Sequence, residues 1–103
     1  MSRYHISSNG LEALLGFDRP LGHYFIVISR NDDAEDGETL YSNLDDTANP
    51  FPKDLNVIKQ IATRFGLKIP NEMWREIQQD FIAQVGNKEV RYEENGRRTE
   101  LPL

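Results

Sequence analysis

Between His23 and Ser29 the chain reads His-Tyr-Phe-Ile-Val-Ile-Ser, five β-branched or aromatic residues in a row. Side chains alternate across a strand, so Tyr24, Ile26 and Ile28 would face one way and Phe25 and Val27 the other. Both faces are apolar, which predicts a central strand covered on both sides. Just before it, Leu11 to Phe17 is ambiguous. Its Leu, Glu and Ala content favours a helix, but Gly10 and Gly16 bracket only five residues, too few for an isolated helix. A strand ending at Phe17 is therefore expected, joined to His23–Ser29 by a hairpin loop over Phe17–Gly22. In that loop Pro20 fixes φ, Asp18 bonds nearby backbone N–H groups and Gly22 is free to take positive φ. Arg30–Glu38 is a polar connection ending in the turn pair Asp36-Gly37, and Thr39–Leu44 follows as a third strand of an antiparallel meander. Arg3–Ser8 also alternates, with Tyr4 and Ile6 against Arg3, His5 and Ser7, but terminal segments fray and it receives little weight.

The period then changes. Pro50 and Pro52 bracket Phe51 in a crossing loop over Asp45–Lys53. Asp54 is placed as an N-cap, followed by Leu55, Ile58, Ile61, Ala62 and Phe65 at helical spacing and by Gly66 at C′. A second helix is expected from Pro70 at its first position, with Glu72 in the first turn. Its buried stripe would be Met73 or Trp74, Ile77, Phe81 and Val85, and Gly86 would end it. In the tail, Val90 and Tyr92 alternate with Glu89, Arg91 and Glu93 and add a strand. Asn95-Gly96 then turns the chain into an arm, Arg97–Leu101, so polar that residues 94–103 are expected to be flexible.

A length of 103 residues with 38% apolar positions suits one domain with one core, since a chain this size buries roughly 65% of its unfolded surface. The absence of cysteine excludes disulfides, thiolate metal sites and a cysteine nucleophile. Neither a signal-peptide core nor a run approaching the ~20 apolar residues of a membrane span occurs, so a cytoplasmic protein is the expectation. The net charge of −5 opposes loose binding to phosphate backbones, and its distribution says more. Asp32, Asp33, Glu35, Asp36, Glu38, Asp45 and Asp46 crowd into residues 31–46 with no basic residue, while the rest of the chain carries 10 acids and 12 bases. The negative excess therefore belongs to one loop-strand-turn unit.

Candidate chemistry is sparse. Asp32, Asp36 and Gly37 occupy positions 1, 5 and 6 of an EF-hand-like loop, but positions 3 and 12 are Ala34 and Asn43, and a solvated or partner-binding acidic loop fits better than a metal site. His5 and His23 stand in no metal or catalytic spacing, and there is no Gly-x-Ser-x-Gly or glycine-rich phosphate loop. Asp18, Arg19 and His23 could form a small polar site at the mouth of the sheet, with Arg19 as a bidentate fork, although turn chemistry already accounts for Asp18, Pro20 and Gly22. Turn chemistry equally covers Asn43, Asp45 and Asp46. Trp74 belongs either to the core or to the edge of its stripe, where interfaces recruit Trp. Arg91, Arg97 and Arg98 are interrupted by glutamates, a poor nucleic-acid footprint.

The segment Gly-Phe-Asp-Arg-Pro-Leu-Gly before an aromatic strand resembles small uncharacterised bacterial proteins in which a Gly-Phe/Trp-Asp-Arg-Pro-Leu turn precedes such a strand. The resemblance implies a sheet with two helices packed on it and brings no activity or cofactor. The expected fold is thus α+β, a two-layer domain with a mainly antiparallel sheet of three to five strands and two helices on one face. Phe25 and Val27 then need cover on the second face, from the N-terminal segment, the loop around Phe51 or a second copy in a homodimer. The expected function is a non-enzymatic protein-interaction or regulatory module without metal or cofactor. It would bind through Asp32, Asp33, Glu35, Asp36, Glu38, Asp45, Asp46 and Trp74, or through an apolar patch. The alternative is a small ligand-binding domain or enzyme using Asp18, Arg19 and His23.

Overall fold

The first strand, β1 (Ser2–Ser8), alternates buried and less buried residues along its whole length, with Tyr4 and Ile6 fully enclosed. That places the N-terminal segment, given little weight above, in the middle of the sheet. The computed structural model describes residues 1–30, 39–48 and 50–102, with only the backbone of Leu44. Asp32, Asp33, Glu35, Asp36 and Glu38 lie outside the described residues.

Asn9 and Gly10 both take positive φ and turn β1 tightly into β2 (Leu11–Asp18), the geometry that Asn-Gly favours between antiparallel strands. Thus Leu11–Phe17 is strand, as expected. Next come β3 (His23–Arg30) and β4 (Thr39–Ser42), which stops two residues short of the expected Leu44 and gives way to a 3-10 turn at Asn43–Asp45. Helices α1 (Leu55–Arg64) and α2 (Asn71–Ala83) follow, then β5 (Lys88–Tyr92) and β6 (Arg98–Glu100).

The strands form one six-stranded sheet in the order β4-β3-β2-β1-β5-β6. One expectation needs correction. The count exceeds three to five because β1 and the polar tail arm both join the sheet. The sheet is mainly antiparallel, as expected, and is mixed only in that β5 runs parallel to β1. The α1–α2 crossover delivers β5 to the far side of β1, and a strand arriving from a helical layer can enter parallel. Accordingly β3 is interior but second from one edge, and β2 and β1 occupy the middle.

Both helices pack on one face. Tyr4, Ile6, Ala13, Leu15, Tyr24, Ile26, Ile28, Val90 and Tyr92 meet Leu55, Ile58, Ile61, Ala62, Met73, Trp74 and Ile77 there. Burying each of the larger apolar side chains stabilises the fold by roughly 1.5–3 kcal/mol. Asp54 caps α1, its carboxylate accepting from Asn56 N at 2.9 Å. Gly66 closes α1 at φ +72°, with Leu67 N bonded to Ala62 O and Gly66 N to Thr63 O. Pro70 is the residue before α2 rather than its first turn. Gln84, at φ 54°, ends that helix earlier than Gly86, leaving Val85 outside the stripe.

On the second face no helix or strand layer packs among the described residues, and the Phe51 ring covers only its His23 end. β1 became part of the sheet instead of covering it, and the Phe51 loop runs along the end of β3. Phe25 is nevertheless buried, because its ring lies across Gly16, its partner in register. Gly16 is also where β1 approaches most closely, since a Cβ there would stand 2.0 Å from Ser2 O.

The outer side of β3 is closed by an unusual device. Where β4 has ended, Asn43 inserts its buried carboxamide, accepting from Ile26 N at 3.0 Å and donating to Pro50 O at 3.0 Å, and Tyr24 N donates to Pro52 O at 2.8 Å. A side chain thus performs the hydrogen bonding of a missing strand.

Gly16→Ala should destabilise by about 2–3 kcal/mol, because the obstacle is backbone and cannot rotate away; its urea unfolding midpoint is the measurement. Asn43→Ala should cost about 2 kcal/mol and accelerate hydrogen exchange at the Ile26 amide, which is left buried without its partner.

Candidate functional site

Asp18, Arg19 and His23 come together in the chain but not in chemistry. Asp18 organises the β2–β3 turn, its carbonyl accepting from Gly22 N at 2.7 Å and its carboxylate from Leu21 N at 3.3 Å. The Arg19 guanidinium lies against Gly86, in the connection between α2 and β5. His23, opposite Asp18 in register, is only 1% exposed. Its Nδ1 is 2.6 Å from Tyr24 O, and since a carbonyl can only accept, that nitrogen carries the proton. Nε2 is then a buried acceptor with no partner among the described residues, beneath the ring of Phe51 at a centroid distance of 5.2 Å. Phe51 itself is 58% exposed.

Of the acidic candidates that are described, Asp45 is exposed, whereas Asp46 is engaged. It accepts from Tyr41 OH at 2.7 Å and from Ala48 N at 2.9 Å. Burial, reinforced by Asp46, pushes the Tyr41 hydroxyl up to about 12. These residues and Thr39, Leu40 and Ser42 line a shallow groove of about 220 Å³. Trp74 is 9% exposed and belongs to the core, with Lys59 Nζ 5.9 Å from its ring centre, so little of it remains for a partner.

The uncovered sheet face has two halves. On β2 and β3, the half-buried Leu14 and Val27 are cross-strand partners beside the buried Phe25. On β1 and β5 the face is ionic. His5 Nε2 meets Glu89 at 2.9 Å, and Arg91 pairs with Glu12 at 2.7 Å across Ser7, whose hydroxyl donates to Glu12. Towards the β5–β6 turn, Ser7, Arg91, Asn95, Arg97 and Thr99 line an open groove of about 680 Å³ together with Glu93 and Glu94.

Under the helices lies a cluster that sequence reasoning missed. Asp80 is 2% exposed, accepting from the Tyr4 hydroxyl and pairing with Lys88 Nζ at 3.2 Å. Lys88 also holds Glu76 at 2.6 Å, and Glu76 accepts from Tyr92 OH at 2.6 Å and from Arg98 at 2.8 Å. Glu76 and Asp80 stand four apart on α2, and both point into its apolar stripe. Two acids on a buried helical face were the available signal. Burial alone would raise the Glu76 carboxyl, but hydrogen bonds from Arg98, Lys88 and Tyr92 outweigh it and hold the group at about 2. Burial opposes the charge on Lys88 as well, and bonds to Glu76 and Asp80 prevail, leaving its ammonium above the ordinary lysine value. Burial and then Asp80 push the Tyr4 hydroxyl up. This cluster fastens α2 to β1, β5 and β6.

No protein-family model, curated protein or solved structure matches the chain. Among the described residues no three or more His, Asp or Glu side chains are grouped to hold a metal ion, and no helix is long and apolar enough to cross a membrane.

The lowered Glu76 value fixes the sign of a pH response. Its stabilising contribution is complete above the ordinary carboxylate value of 4.5 and is lost as pH falls towards about 2. Urea unfolding should show a loss of up to about 3 kcal/mol across that window. Glu76→Gln should start less stable at pH 7 and lose correspondingly less.

Proposed function

We propose that the protein is a non-enzymatic protein-interaction module that docks through the bare face of its sheet. The observation that carries this reading is the Leu14, Phe25 and Val27 strip on a face without a covering layer among the described residues. Both sheet edges are poor alternatives. β4 has four residues and a register shift beside Ile28 and Ser29, and β6 has three residues, Arg98, Thr99 and Glu100. Short, bulged or charged edges discourage strand addition. The acidic residues of 31–46 border this face in the chain through β3 and β4. In this reading Asp32, Asp33, Glu35, Asp36, Glu38, Asp45 and Asp46 tune partner choice and encounter rate, while the apolar strip supplies affinity.

A second reading, a ligand-binding domain or enzyme at Asp18, Arg19 and His23, draws on the unpartnered Nε2 of His23. It is the weaker of the two, because Asp18 is occupied by its turn and Arg19 is directed at Gly86.

A photoreactive benzophenone amino acid in place of Val27, in the protein's own host cells, should yield a covalent protein adduct on illumination. The same probe at exposed Arg75 on α2 should yield none. Failure to obtain any adduct at position 27 would overturn the reading.

A further inference from the structure

Resting on that reading, we infer that the face is covered by a second copy of the chain, packed sheet to sheet about a twofold axis. Three observations favour this occupant over a different protein. The first is charge. The whole chain carries −5, yet on the open face between the turns Arg3 and Arg91 balance Glu12 and Glu89. This is the part of the molecule where two copies can approach with little net repulsion, whereas a strongly basic or acidic partner finds nothing complementary.

The second is internal satisfaction. Glu12 already pairs with Arg91 and accepts from Ser7, and Glu89 meets His5 Nε2. Both carboxylates would therefore enter an interface already hydrogen-bonded, which lowers the cost of burying them. The third is size. Strands ~4.8 Å apart rising ~3.3 Å per residue give this sheet a face of roughly 500–600 Å² in projection. With side-chain relief, that approaches the ~800 Å² of accessible surface per partner of a standard interface. Facing sheets stand ~10 Å apart, so Leu14 and Val27 of one copy would interleave with the same residues of the other over the buried Phe25 ring, as an isologous contact requires.

Analytical ultracentrifugation of the full chain tests this. A species of twice the 11.9 kDa chain mass is expected, and its formation should strengthen or hold steady as ionic strength rises from about 20 to 300 mM, because salt screens the repulsion between two anionic copies. Val27→Glu should weaken association by about a hundredfold or more, placing an unpaired charge at the centre of the contact. The milder Val27→Thr, which retains strand character should the glutamate variant fail to fold, should weaken it about tenfold. A wild-type chain that stays monomeric at about millimolar concentration would overturn the inference, as would a dimer indifferent to both substitutions. The mass of the Val27 photoadduct separates the two claims. A doubled chain supports both, a foreign protein overturns the second copy and leaves the docking face standing, and no adduct removes the docking face itself.

Discussion

A carboxylate with almost no access to water has to be answered by a cation, and the architecture follows from how Asp80 is answered. Lys88 is the first residue of β5, Tyr4 lies in the middle of β1, and both reach Asp80 on α2. The charge can stay inside only when these three elements have met, and removing one partner of such a buried pair typically costs 3–5 kcal/mol. Packing of α2 and parallel pairing of β5 with β1 are therefore a single event. Glu76 extends the same linkage through Tyr92 and Arg98 to β6, which explains why so polar an arm lies down as a strand.

Local signals and remote ones fared differently. The apolar run of β3, the Asp54 and Gly66 boundaries of α1 and the stripe of α2 depend on residues a few positions apart, and their elements appear where the sequence predicts them. The role of β1 does not have that character. Arg3–Ser8 is a middle strand because Leu11–Asp18 pairs on one side and Lys88–Tyr92 on the other, and the second partner comes from the opposite end of the chain. Asn43 is similar. An asparagine near a turn ordinarily serves that turn, and only the early end of β4 makes it a substitute for a strand. Of the nominated site, the turn roles of Asp18 and Gly22 were legible, whereas the burial of His23 beneath Phe51 depended on where the crossing loop lands.

The two faces of the sheet divide the labour. One is packed by helices, and the other carries Leu14 and Val27 beside the Glu12–Arg91 pair and the His5–Glu89 contact, with Gly16 flattening the surface so that Phe25 can lie across it. Edges that are short, bulged or occupied by Asn43 discourage an added strand, and the docking proposal therefore rests on the broad face.

The parallel neighbours β1 and β5 also set the order of events during synthesis. Strand β1 is synthesised before β5 and must wait for it before being flanked on both sides, and loop closure over that span is entropically slow. Until then the hairpin of β1 and β2 holds Tyr4 and Ile6 without their final neighbours, apolar surface of the kind that invites misassociation during folding.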